Sequence, residues 1–132
     1  MAWLQTVAVY TTAAVGVMAL HEATHLAIAR LAGPYSVHVH SWIPIRLYLD
    51  FEHLPSAAIF RVIALAPLLV GFSLALLGIQ VGVWRSIRTT GPFYSHIIVV
   101  AYWLLYIAPS PADLRLALWP PTHPRQAVPM PE

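Results

Sequence analysis

The residues best suited to chemistry in this sequence are two histidines and a glutamate, in the stretch His21-Glu22-Ala23-Thr24-His25 at the end of a long apolar run. On an α-helix, positions 21 and 25 lie one turn apart on the same face, so their two imidazoles can bind one metal ion. Glu22 lies beside them, placed to act on a water molecule bound to that ion. Because the chain contains no cysteine, any further ligand must be a histidine or a carboxylate.

A third ligand is needed, since a catalytic zinc usually has three protein ligands and one open position for water. Asp113 has the best local reason to be that ligand. Ser110 is typical of a helix N-cap and Pro111 of a first helical residue, so Asp113 falls in the first turn, where the helix dipole favours an anion. The same carboxylate could instead cap the helix without a metal. At a rise of about 1.5 Å per helical residue, His96 lies about 25 Å from Asp113. His96 is therefore excluded as a ligand of the same ion. The other candidate ligands are His38, His40, Asp50, Glu52 and His53.

The composition indicates that these residues are positioned by a fold surrounded by lipid. Of 132 residues, 59% are hydrophobic and 9% are charged, whereas an ordinary soluble domain has about 25% charged residues. A water-soluble domain of this length could not bury so much apolar surface. The net charge of +2 comes from seven arginines and five acids, and the arginines form no basic stripe with interleaved aromatic residues. Nucleic acid is therefore excluded as a partner.

Three apolar segments are long enough to span, or nearly span, a hydrocarbon core of about 30 Å, which needs about 20 helical residues. They cover residues 2–31, 56–83 and 92–108. Pro67 should kink or break the second segment, because proline lacks the backbone N–H that a helix needs. Residues 84–91 should form a short loop between the second and third segments.

The segment between the first two apolar runs has a different pattern. Residues 35–51 alternate apolar and polar side chains, which predicts a β-hairpin with Pro44 at its turn or on an edge. A short helix should cover residues 114–119, and the proline-rich segment 120–132 should be disordered. The predicted fold class is an all-α integral membrane protein with about three transmembrane helices. A hairpin lies between the first two helices, a short helix follows the third, and residues 1–119 form one membrane-embedded domain.

Three successive crossings would bring the two polar motifs to the same side of the membrane. His25 ends the first crossing and Asp113 follows the third, so both arrive at one surface. That side carries most of the arginines, and the positive-inside rule therefore predicts a cell-membrane protein whose site faces the cytoplasm. The arginines on this side or near it are Arg30, Arg46, Arg61, Arg115 and Arg125, and those on the other side are Arg85 and Arg88.

In these motifs the chain resembles the site-2 protease family of intramembrane zinc metalloproteases, and more closely the small membrane-embedded zincin peptidases. His21-Glu22-x-x-His25 stands near the end of one membrane helix, and Asp113 follows a serine and small residues after a later one. The resemblance covers residues 1–119. It implies Zn²⁺ bound by His21, His25 and Asp113, with Glu22 as the catalytic base, and a membrane-protein or peptide substrate.

Two other functions are open at this stage. One is a catalytically idle, zincin-like membrane scaffold, against which the intact Glu22 counts. The other is a membrane protein that binds haem or a metal ion, for which axial histidines from two helices would be needed. Three helices are few for burying a hydrated site, so self-association into a homo-oligomer is also expected.

Overall fold

The computed structural model describes residues 2–42, 45–90 and 95–121, which form six helices and one two-stranded antiparallel sheet. The described chain is mostly helical with a small hairpin after the first helix, as predicted. The predicted disordered tail lies, from residue 122 onward, outside the described residues. In chain order the elements are α1 (Ala2–Ala32), β1 (Tyr35–Trp42), β2 (Ile45–Phe51), α2 (Ala57–Ala64), α3 (Ala66–Gln80), α4 (Val83–Thr90), α5 (Ser95–Ile107) and α6 (Pro111–Leu118).

Helix α1 is a single helix of 31 residues that contains no proline. It ends where the sequence predicts, because Gly33 adopts a φ of 143° and Pro34 follows it. In the described part of the chain, α1 is the one helix that is by itself long and apolar enough to cross a membrane. Two helix pairs, α2 with α3 and α5 with α6, reach that length only if each pair counts as one broken span.

The hairpin formed by β1 and β2 is antiparallel, with Tyr35 opposite Phe51. The register shifts after Val39, so the regular alternation expected along β1 is interrupted there. Pro44, the predicted turn or edge residue, lies outside the described residues. The Tyr35 and Phe51 rings are 5.6 Å apart, and Phe51 meets Phe60 of α2 edge to face at 5.7 Å. These ring contacts join the hairpin to α2.

The second apolar segment is broken into α2 and α3 at Leu65, as the position of Pro67 predicts. Pro67 lies in the first turn of α3, where helices tolerate a residue without an N–H. Its side chain is fully buried. Helix α2 itself begins after Ser56, whose side-chain oxygen accepts a hydrogen bond from the backbone N–H of Ile59.

The loop predicted over residues 84–91 is wrong for most of its length, because Val83–Thr90 form helix α4. Gly82, with a φ of 78°, makes the turn that separates α4 from α3. The apolar residues at the start of α4, Trp84 and then Ile87, recur at helical spacing among polar neighbours. The segment is therefore a short amphipathic helix, and its polarity explains why composition alone suggests a loop.

Helix α6 begins at Pro111, three residues earlier than the predicted start at Leu114. The prediction that Ser110 caps this helix and that Asp113 lies in its first turn is confirmed. Ser110 Oγ accepts from the Asp113 N–H at 3.2 Å, and Asp113 Oδ2 accepts from the Ser110 N–H at 2.7 Å. The two residues form a capping box, which fixes where the helix begins.

The chain divides into two compact units, and the first consists of Met1–His21 and Pro67–Ala108. Within it α3 and α5 pack closely: Trp103 Nε1 donates to the Gly71 carbonyl at 3.3 Å. A side chain at Gly71 would overlap Ile107, so glycine permits this approach.

The second unit consists of Glu22–Ala66 and Pro109–Glu132. Within it α2 lies against α6, and Arg61 Nε donates to the Ala117 carbonyl at 3.1 Å. Ala117 belongs to the last turn of α6, where carbonyls lack helical donors and a cation is favoured. This bond ties the C-terminal end of α6 to α2.

Candidate metal centre

His25 and Asp113, both in the second unit, face each other with His25 Nε2 3.4 Å from Asp113 Oδ1. Two donors bound to one tetrahedral zinc at about 2.0–2.2 Å from the metal lie about 3.3–3.5 Å apart. A charge-assisted hydrogen bond between these groups would be shorter, about 2.7–2.9 Å. The separation is therefore long for a direct hydrogen bond and matches that of two ligands of one ion.

His21 lies on the same helix as His25, α1. It precedes His25 by one helical turn, and each histidine is only 8% exposed. The ligand atoms that His21, His25 and Asp113 offer lie within 4.8 Å of one another. The widest pair needs to close by no more than about 1.4 Å to reach tetrahedral spacing.

Both histidines are held through the same ring atom. His21 Nδ1 lies 2.6 Å from the carbonyl oxygen of Tyr106, and His25 Nδ1 lies 2.7 Å from that of Ile63. A carbonyl oxygen can only accept, so each Nδ1 must carry the hydrogen and donate it. In the neutral ring, Nε2 then keeps its lone pair for a metal. Metal-binding histidines are commonly oriented in this way by a carbonyl or carboxylate on the second nitrogen.

Asp113 uses its two oxygens for different partners. Oδ2 accepts from the Ser110 N–H in the capping box, and Oδ1 is the atom that faces His25. Capping and metal binding, which the sequence leaves as alternatives for this carboxylate, are therefore compatible. Two imidazole nitrogens and one carboxylate oxygen form a donor set suited to zinc with one coordination position left over.

Glu22 is half-buried in α1, in the position following His21. At about 100° per helical residue it lies about 60° around the helix axis from His25. It is thus at the rim of the face that carries the histidines, rather than on the opposite side.

In the described residues, His21, His25 and Asp113 are the only group of three or more potential ligands close enough to share an ion. The other described candidates in and after the hairpin are exposed, and none joins this group. The side chain of His40 lies outside the described residues. His96, at the start of α5, is half-buried and is not part of the group. The exposed candidates are His38, Asp50, Glu52 and His53.

The sequence does not predict the backbone groups that orient the histidines. The carbonyls of Ile63 and Tyr106 lie near the C-terminal ends of α2 and α5, and carbonyls in such positions lack some of their helical donors. The signal available in the sequence is Pro67, four residues after Ile63. It identifies a carbonyl whose helical donor is missing, although it does not say which side chain replaces that donor.

Comparison of the chain with known protein families, with characterised proteins and with solved structures gives no match. The resemblance to site-2 proteases therefore stays a prediction from two short motifs.

Proposed function

We propose that this protein is a membrane-embedded zinc metallopeptidase whose ion is bound by His21, His25 and Asp113. The observation that carries the proposal is the pair of Nδ1 hydrogen bonds to backbone carbonyls. In the neutral rings they leave both Nε2 atoms with a lone pair, and that of His25 faces a carboxylate oxygen, which suits a three-ligand catalytic zinc site. The likeness of the same residues to the site-2 protease motif supports this assignment.

Catalysis would depend on what each residue does at the centre. A bound zinc would lower the pKa of a coordinated water toward about 7 and polarise a peptide carbonyl. Glu22 would accept the proton of the attacking water and return it to the leaving amine as the C–N bond breaks. The half-buried position of Glu22 limits the water around its carboxylate, which strengthens its electrostatic effect on a nearby proton.

A membrane location is supported by the outer surfaces of the long helices. Large apolar side chains are exposed on α1, α3 and α5, such as Trp3, Leu76 and Leu104, exposed by 66%, 60% and 50%. In water such a surface would be costly, whereas in a lipid bilayer it is the favourable one. We infer that α1 and the two broken helix pairs form three spans.

The arginine distribution supports placing the site toward the cytoplasm. Arg30 and Arg115 lie near the ends of α1 and α6 that carry the site, whereas Arg85 lies in α4, on the opposite side of a three-span topology. Cysteine labelling of an Arg88→Cys variant in intact cells tests this topology. Labelling of residue 88 only after permeabilisation would reverse the proposed orientation.

The metal assignment is tested by the zinc content of the purified protein. The wild type should hold one zinc per chain, and His21→Ala and Asp113→Ala should hold much less. Asp50→Ala is the matched control, since Asp50 is an exposed carboxylate outside the centre. Equal zinc in all four proteins would refute the assignment.

Catalysis and an idle scaffold are separated by Glu22→Gln. This variant should keep zinc and lose hydrolysis of membrane-associated peptides, because glutamine cannot accept the proton. Unchanged biological activity in Glu22→Gln would favour the scaffold. A haem protein is disfavoured, because both imidazoles come from one face of one helix, whereas axial ligands approach a haem from opposite faces.

A further inference from the structure

The hydrogen bond that orients His25 ends on a carbonyl at a helix break. In a continuous helix the carbonyl of residue 63 would accept from the N–H of residue 67. Residue 67 is proline, which has no N–H. The Leu65 N–H closes α2 by donating to the carbonyls of Arg61 and Ile63, but a carbonyl oxygen has two lone pairs. His25 Nδ1 occupies the remaining position on Ile63 at 2.7 Å.

His21 is also oriented by a carbonyl that lacks its helical donor, although here no proline is the cause. The helical donor for the Tyr106 carbonyl would be the N–H of Ser110. That N–H instead donates to Asp113 Oδ2 at 2.7 Å, and His21 Nδ1 donates to Tyr106 at 2.6 Å. Each histidine is therefore oriented by a carbonyl whose helical donor, four residues later, is absent or bound elsewhere.

We propose that Pro67 is a positioning residue of the metal centre: by withholding an N–H from the Ile63 carbonyl, it leaves that oxygen to hold His25 in the tautomer that binds metal through Nε2. The inference rests on the proposed metal site. Pro67 is fully buried, so its ring also fixes the helix break. An N–H at position 67 would compete with His25 for the Ile63 carbonyl and would favour one continuous helix across the break.

The test is Pro67→Ala in the full-length protein in detergent micelles, with Pro55→Ala as the control. Pro55 precedes α2 and lies outside any helix, so an N–H there has no helical carbonyl to capture. Zinc affinity, measured by competition with a chromophoric chelator, should fall about tenfold to hundredfold in Pro67→Ala, the range for loss of an outer-shell partner. It should be unchanged in Pro55→Ala.

A second readout separates positioning from a purely structural role. Nitrogen-15 spectra of histidine-labelled, metal-free protein report the tautomer of each ring, with His25 assigned by comparison with His25→Gln. Wild-type His25 should be protonated at Nδ1, and Pro67→Ala should shift the population toward Nε2–H. If Pro67→Ala lowered the unfolding temperature but kept the tautomer and the zinc affinity of the wild type, the proposal would be wrong.

The two proposals can fail separately. A wild type that binds no zinc would remove the proposed function, and the tautomer of His25 would still decide the role of Pro67. Conversely, a wild type that binds zinc but has metal-free His25 protonated at Nε2 would overturn the positioning role alone. Because this last observation uses only the wild type, it holds even where Pro67→Ala does not fold.

Discussion

Replacing Asp113 by asparagine should separate its capping role from its proposed metal-binding role. Only the amide oxygen of asparagine can accept the Ser110 N–H now bound at 2.7 Å, so the NH₂ group must take the place of Oδ1 and face His25. An amide nitrogen has no lone pair for zinc. The proposed centre would thus lose one of its three ligands, and zinc affinity should fall more than about hundredfold, beyond the usual effect of an outer-shell change. At about 1.4 kcal/mol per decade this is about 2.8 kcal/mol or more.

The stability of the metal-free protein should change much less. Asp113→Asn keeps the cap and loses only the favourable charge near the helix N-terminus, about 0.3–1 kcal/mol. Ser110→Ala gives the opposite pattern: it loses the Oγ acceptor of the Asp113 N–H, at a cost of about 1 kcal/mol, and should keep zinc affinity within about tenfold.

Chelator competition and thermal unfolding followed by circular dichroism measure the two effects. Asp50→Asn, on an exposed strand residue, serves as the control and should match the wild type in both assays. The dual role of Asp113 would be refuted by an Asp113→Asn protein that binds zinc within about threefold of the wild type. It would equally be refuted by a Ser110→Ala protein that loses zinc as completely as Asp113→Asn.

Two further substitutions test the packing around the centre. Gly71→Ala should destabilise the protein by about 1–3 kcal/mol and weaken zinc binding, because the new methyl group overlaps Ile107 beside the carbonyl that holds His21. Gly78→Ala, in the same helix, meets its nearest side chain at 3.5 Å and should be neutral or stabilising in thermal unfolding; an equal loss in both would contradict this reasoning. Arg61→Leu removes the hydrogen bond to the Ala117 carbonyl and should lower the free energy of unfolding by about 1 kcal/mol. Its loss of zinc affinity should be smaller than that of Gly71→Ala. An unfolding temperature equal to that of the wild type would contradict this prediction.

The features that the sequence predicts well are set by interactions within a few residues. Pro67 breaks the second apolar segment and Ser110 caps α6, each through its own backbone chemistry. The spacing of His21 and His25 is equally local, because one continuous helix fixes it. Such features need no knowledge of what packs against them.

The features that the sequence misses depend on neighbours distant along the chain or on competing signals. Arg85 and the other polar residues of α4 suggest a loop, although the apolar positions among them keep helical spacing. The register shift after Val39 alters a strand whose alternation looks regular. The partner of the Ile63 carbonyl lies 38 positions away in the sequence, and no local pattern identifies it.

If the protein lies in a membrane, the helix breaks and the histidines supply hydrogen-bond partners to each other. A carbonyl that has lost its helical donor is expensive in lipid, because no water is available to replace the bond. A buried imidazole is also costly unless both ring nitrogens have partners. The hydrogen bond from His25 to Ile63 fills the acceptor position that Pro67 leaves open on this carbonyl, and it satisfies one of the two ring nitrogens. The remaining nitrogen then faces Asp113, and a metal ion between them would complete the polar groups of the centre. Removal of the ion should therefore destabilise the helix breaks more than the apolar faces of α1, α3 and α5.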